Sequence, residues 1–217
     1  MLNFQDKIAL ITGGTRGLGR ALAMRLAASG ATLALNYRRD EDSAARTLEI
    51  VSTRSPRSIL LKADMEDDGQ VRAMVRQATT EFGRLDILIF NAAATAFKPL
   101  LEVKPHNLSR TFNLSIGGFV AAVQEASQHM GAGGRIIVIS GMDSLRNLPG
   151  HGILGAAKAG LEAMVRDFAF ELGARGITVN GVNFGMVDSD SSRTYFGADF
   201  ARVAECAVGR SALKRIP

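Results

Sequence analysis

Three short stretches carry residues whose types and spacing suit chemistry on a charged, carbonyl-bearing ligand. In HGILGAAKAG (151–160), Lys158 is preceded by Leu154 four residues earlier and by His151 seven residues earlier. Helical residues advance by about 100° each, so both positions lie near the lysine's face, His151 about one turn further out. Histidine donates a hydrogen bond as neutral imidazole or as imidazolium, and its ordinary pKa of about 6.5 makes it a usable acid near neutrality. A neighbouring Lys158 cation favours the neutral ring, a weaker acid that is still a donor. Asp143 and Ser144, just upstream, read first as loop hydrogen-bonding groups and second as further polar groups for the same chemistry.

The second stretch, ITGGTRGLGR, sets Gly13, Gly14, Gly17 and Gly19 directly after an apolar run. Glycines there allow a tight turn and close approach of a pyrophosphate, whose charge is stabilised by the N–H groups at the start of the following helix. The third stretch decides which dinucleotide fits. A carboxylate at the end of the second strand hydrogen-bonds the ribose hydroxyls of NAD. Here the run is Asn36, Tyr37, Arg38, Arg39, with no carboxylate before Asp40. Arg16 and Arg38 suit a 2′-phosphate through charge-assisted bonds, which favours NADPH over NADH; the plainer alternative is that both arginines are simply solvated.

These residues need elements to position them. KIALIT (7–12), ATLALN (31–36), SILLKA (58–63), DILIF (86–90), RIIVIS (135–140) and ITVNGV (177–182) predict six strands. Helical spacing predicts helices near 17–29, 41–54, 67–82, 105–130 and 152–173. Strict alternation implies right-handed βαβ crossovers and an α/β fold, a doubly wound parallel sheet with helices on both faces. With no repeat or linker, 1–217 reads as a single domain, in which 183–217 forms a substrate loop over the sheet followed by a helix.

Composition narrows the class. A chain of 217 residues with 47% hydrophobic and 22% charged residues has a globular balance. One cysteine, Cys206, excludes an internal disulfide and a cysteine-rich metal site, so no metal is expected and a reducing cytoplasm is favoured. There is no leader-like N-terminus and no long apolar run, so no membrane association is expected. The +5 net charge is scattered rather than blocked, which argues against nucleic acid and suits an acidic carrier or a phosphorylated ligand.

Taken together and in order, Thr12-Gly-Gly-Thr-Arg-Gly-Leu-Gly19, Asp64, Asn91-Ala-Ala-Ala94, Asn113 and Lys158 resemble the short-chain dehydrogenase/reductase superfamily over nearly the whole chain. The resemblance implies a Rossmann fold and NADP(H) held by Gly13, Thr15, Arg16, Gly17, Leu18 and Gly19 at the phosphates. It also implies contacts from Arg38, Asp64 and Met65 at the adenosine end. Asn91, Ala92 and Lys158 would lie beside the nicotinamide, and Asn113 would hold a proton-relay water. Asn183-Phe-Gly-Met-Val-Asp-Ser189 is similar to the family's Pro-Gly-x-x-x-Thr stretch, with Phe184 at the proline and Gly185, Val187 and Ser189 matching in type.

The catalytic positions depart from the pattern. Gly141 stands at the usual serine and Leu154 at the usual tyrosine, so ordinary ketone reduction, with serine polarising the carbonyl and tyrosine donating the proton, is not available. The type III branch of enoyl-acyl-carrier-protein reductases uses Tyr-x6-Lys, and that position here is His151. FGRLDILIFNAAA, QEASQHM, SLRNLPGHGILGAAKAGLEAM and Asp-Ser-Asp at 188–190 are similar to the same branch. The site residues expected are therefore Lys158, Asn113 and His151, acting on an enoyl thioester, free or on an acyl carrier protein, within a homodimer or homotetramer. Two rivals stand beside this: a redox-silent dinucleotide-binding subunit, and a non-redox isomerase or dehydratase. Of the two tyrosines, Tyr37 is expected at the adenosine side and Tyr195 in the mobile substrate segment, entering the site only on closure. Relatives usually continue beyond GRSALKRIP through a helix, a final strand and a glycine-rich tail; without these the last strand would be an exposed edge.

Overall fold

The computed structural model describes residues 3–216. Six strands form one parallel sheet: β1 (Ile8–Ile11), β2 (Thr32–Tyr37), β3 (Ile59–Lys62), β4 (Ile87–Phe90), β5 (Arg135–Ile139) and β6 (Thr178–Val182). Their order is β3-β2-β1-β4-β5-β6, so the chain reverses direction across the sheet between β1 and β4. Each predicted strand is present; five are shorter by a residue or two, and β2 keeps its length but is shifted one residue toward the C-terminus.

The central strands are apolar without alternation because both of their faces are covered. IALI of β1 and ILIF of β4 are wholly buried. Side chains pointing to one face, among them Leu10, Phe90, Phe119, Val138 and Leu161, form one core. Those pointing to the other, among them Ala9, Ile11, Leu33, Leu35 and Ile89, form a second. Phe90 and Phe119 meet edge to face at 5.3 Å, and burial of such a side chain is worth about 1.5–3 kcal/mol.

The helices are α1 (Gly17–Ala28), α2 (Glu41–Ser52), α3 (Asp68–Phe82), α4 (Pro105–Phe112), α5 (Gly118–Ser127), α6 (Gly152–Gly173), α7 (Asp190–Phe196) and α8 (Phe200–Arg210). Local chemistry sets several of their ends. Asp40 caps α2 by accepting from Ser43 N at 2.9 Å, and Asp67 caps α3 by accepting from Gln70 N at 3.0 Å. Gly83, left-handed at φ 77°, closes α3.

The one helix predicted over 105–130 is divided. Between α4 and α5, Asn113–Gly117 widens into a π turn, with Gly118 N donating to Asn113 O. Gly118 permits this: a Cβ there would lie 2.5 Å from Met65 O, so only glycine lets α5 lean on the loop after β3. Periodicity cannot reveal one inserted residue per turn, and such bulges collect at functional sites. Among the described residues, no helix is long and apolar enough to cross a membrane.

Candidate active site

Loops leaving the C-terminal ends of β1, β4, β5 and β6 converge above the strand-order reversal, the place where open α/β sheets bind ligands. The glycine loop after β1 is held from three sides. Asn91 Nδ2 donates to Thr12 O (3.0 Å) and Gly13 O (3.1 Å). Asn36 Oδ1 accepts from Gly13 N at 3.1 Å, and Thr47 Oγ1 donates to Thr15 O at 2.7 Å. Asn36 and Thr47 escaped the sequence reading; the available signal for Asn36 was a polar residue inside the apolar run ATLALN.

The loop's shape fits a dinucleotide. Gly13 and Gly17 are left-handed (φ 60° and 50°), and a Cβ on Gly19 would lie 2.0 Å from Gly13 O. A Cβ on Gly17 would meet nothing within 4 Å, so the backbone opens onto free space there. The Arg16 side chain makes no cap bond to α1 among the described residues, which leaves the first-turn N–H groups for an anion. Thr15 is buried beneath the turn and Leu18 packs on the core behind it.

Just after β2, where the sequence predicts the adenosine end, the arginine has company. Arg38 Nη1 donates to Glu66 Oε1 at 2.9 Å and lies 3.6 Å from Asp64 Oδ2, while Arg110 Nε donates to the same Glu66 oxygen at 2.7 Å. Arg38 is thus paired rather than merely solvated. A guanidinium carries five N–H donors, so this pair leaves capacity for a phosphate. Glu66 and Arg110 had no signature in the sequence, because their meeting depends on α4 crossing the loop after β3. Met65 is buried in this loop, and Asp64 Oδ1 accepts from Glu66 N.

At the opposite end, Lys158 points inward from α6, 6% exposed, and its Nζ donates to Ile139 O at 2.6 Å. Burial pulls its pKa down to about 8, against the opposing influence of the Asp143 and Glu162 carboxylates. Leu154 occupies the helix position between His151 and Lys158, half-buried.

His151 is the residue before α6 rather than inside it, at φ −93° and ψ 4°. Its Nδ1 lies 3.2 Å from Asp143 Oδ2, with the two side chains 14% and 6% exposed. Its Nε2 is buried and has no hydrogen-bond partner among the described residues. Phe97 and Tyr195 wall the ring at centroid distances of 4.8 and 4.3 Å. The group shown facing the imidazole is therefore the Asp143 carboxylate, where the sequence suggested the Lys158 cation. Of the two loop residues, Ser144 does hydrogen-bond locally, donating to Glu162 Oε1 at 2.7 Å and accepting from Asn183 Nδ2 at 3.0 Å. A spare hydroxyl for the reaction is not available there.

Tyr195 corrects another expectation. It already covers His151, and its hydroxyl donates to Pro149 O at 2.5 Å, so no closure is needed to bring it in. Desolvation raises its pKa, which keeps the phenol protonated. Asn113 stands exposed at the π turn. In the segment after β6, Phe184 packs on the core where proline was expected, Ser189 caps α7 by accepting from Ser192 N, and Val187 O accepts from Ser192 Oγ. Gly185 is exposed, with nothing within 4 Å of a Cβ built on it. A cavity of about 340 Å³ opens beside this end, lined by Asp143, Ser144, Leu145, Leu148, His151 and Gly152 among others.

Residues 13–216 match the family described as enoyl-(acyl carrier protein) reductase. The chain is 38% identical over 193 residues to 1-cyclohexenylcarbonyl-CoA reductase of Streptomyces collinus, covering 89% of this chain and 69% of that one. It is 35% identical to versicolorin reductase 1 of Dothistroma septosporum, covering 97% and 83%. Its structure resembles a short-chain dehydrogenase of Burkholderia cenocepacia solved in complex with NADP, with a TM-score of 0.89, 33% identity and coverage of 99% and 86%.

Proposed function

The chain belongs to the short-chain dehydrogenase/reductase superfamily, in the family described as enoyl-(acyl carrier protein) reductase, and we propose that it reduces an α,β-unsaturated thioester with NADPH, His151 standing in for the missing tyrosine. One observation carries this reading: His151, seven residues before Lys158, faces Asp143, has a buried Nε2 without a partner among the described residues, and is one of the residues lining the cavity. A buried polar atom without a partner costs about 1–3 kcal/mol, a cost expected where a substrate atom completes the bond.

Bound NADPH supplies a hydride to the β-carbon of the enoyl group. Negative charge then develops on the thioester oxygen, and His151 Nε2–H is the donor offered to it. Lys158, with its pKa near 8, would add positive charge beside the nicotinamide. Asn113, exposed at the π turn, would hold a relay water. Gly13, Thr15, Arg16, Gly17, Leu18 and Gly19 would hold the pyrophosphate, Arg38, Asp64 and Met65 the adenosine end, and Asn91, Ala92, Gly185, Val187 and Ser189 the nicotinamide side. The 2′-phosphate preference rests on Arg16, exposed beside the loop, and on the unused donors of Arg38. The relative from S. collinus is named for an enoyl-type CoA thioester, which supports the substrate class.

The test follows NADPH absorbance with a crotonyl thioester, on CoA and on an acyl carrier protein. Turnover is expected, and His151→Ala is expected to lower kcat by about 100-fold or more. Tight NADPH binding with no oxidation would sink the reductase reading in favour of a redox-silent subunit. Conversion of the thioester without NADPH consumption would point to isomerisation or hydration.

A further inference from the structure

We propose that Asp143 is a positioning residue that fixes the proton of neutral His151 on Nδ1, so that His151 donates toward the thioester oxygen only as imidazolium. This rests on His151 as the substitute acid. His151 Nδ1 lies 3.2 Å from Asp143 Oδ2, and a carboxylate in its ionised form only accepts, so we assign the hydrogen of this contact to the ring nitrogen. The neutral ring then presents a lone pair at Nε2, and a lone pair repels an enolate oxygen. Only the doubly protonated ring presents N–H there. The sequence-based view that the neutral ring is still a donor is thereby reversed.

The seat of Asp143 explains the serine lost at position 141. A Cβ on Gly141 would lie 2.6 Å from Asp143 Oδ1, and a Cβ on Gly155 would lie 2.4 Å from Asp143 O. Two glycines thus make room for this residue, one for its carboxylate and one for its backbone. The space above residue 141 holds the Asp143 carboxylate instead of a side chain of its own.

Charged and titratable groups surround the pair from each packed element. Asp143 comes from the turn after β5, and Tyr195 from α7 covers the ring with its hydroxyl committed to Pro149 O. From α6, Lys158 and Glu162 act through the same carboxylate, since Lys158 feels both acids and Glu162 binds Ser144 next to Asp143. In the forward step, hydride supplied by NADPH would form the C–H bond at the β-carbon and leave the thioester as an enolate. Imidazolium Nε2–H would give its proton to the enolate oxygen, forming the enol; solvent would then protonate the α-carbon as the oxygen's proton leaves, giving the saturated thioester. The ring returns to its Nδ1–H form, and solvent replaces the proton on Nε2.

Nitrogen NMR of the full chain labelled at histidine reads the tautomer directly, without cofactor or substrate; the chain has three histidines, and the His151 signals are those lost in His151→Gln. Wild type at alkaline pH is expected to show Nδ1 protonated. Asp143→Asn, whose amide can donate to Nδ1, is expected to move the proton to Nε2. In turnover, wild type should lose activity through two ionisations as pH rises, those of His151 and Lys158, and Asp143→Asn should keep only the Lys158 limb. Gly141→Ala is a second variant: its methyl meets only the end of the Asp143 side chain, so folding is spared while the carboxylate is displaced and the Nδ1 preference weakened. An Nε2–H tautomer in wild type, or tautomers and pH profiles unchanged in both variants, would overturn the assignment. Absence of NADPH oxidation by wild type would instead overturn the reductase reading, with the NMR result still deciding the role of Asp143.

Discussion

Lys158 shows how one buried side chain ties stability to pH. Its folded pKa of about 8 lies below the ordinary lysine value of 10.5 because burial disfavours the cation. Between those values the unfolded chain binds more protons, so stability attributable to this residue rises as pH rises through the window. Below pH 8 the full cost of the buried cation is present. Urea unfolding of wild type and Lys158→Met should therefore show wild type gaining about 2 kcal/mol on the variant between pH 7 and pH 10, with turnover absent in Lys158→Met at both. Arg38 yields a second prediction at this scale. Replacing it with alanine removes charge-assisted bonds worth about 1.5–3 kcal/mol each, so NADPH binding should weaken by about tenfold or more while NADH binding changes little. Equal loss for both dinucleotides would remove Arg38 from 2′-phosphate recognition.

Among the elements, α7 and the π turn matter most. Helix α7 has seven residues and no buried ones, so its placement depends on few contacts: the Tyr195 hydroxyl to Pro149 O, and the Tyr195 ring against Phe97 and His151. Tyr195→Phe keeps the ring packing and removes one hydrogen bond, about 1 kcal/mol. KM should rise severalfold with kcat nearly kept, read in steady-state kinetics. Tyr195→Ala also uncovers His151 and should speed proteolytic cutting within 183–210. A kcat loss in Tyr195→Phe as large as that of His151→Ala would instead make the phenol the acid. The six strands were legible because each is a short apolar run bounded by turns. The π turn was not, since it leaves no periodic signal, and the close approach of Gly118 to Met65 O beside it joins residues 53 positions apart in the chain.

For the whole molecule, the sheet order places the cradle at one end of the cleft and Lys158 with His151 at the other. What lies outside the cleft points to assembly. Phe170 on α6 is 89% exposed, unusual for a large aromatic on the longest helix. We propose that a second copy of this chain covers it, in a homodimer or homotetramer built on the α4–α5 and α6 faces. Phe170→Glu should lower the mass measured by light scattering; an unchanged mass would place the contact elsewhere.

The sequence by itself determined the layered sheet, because hydrophobic periodicity and glycine turns are local signals that survive without the fold. It also located the glycine loop after β1, and it showed that tyrosine and serine are missing and that histidine stands at the alternative spacing. Tertiary structure decided what those substitutions mean. The facing of His151 by Asp143, the glycines that seat the carboxylate, the capture of Arg38 by Glu66 and the cover of Tyr195 all join residues from different elements. Such contacts depend on distances and directions in space, and these arise only when the helices pack against the sheet.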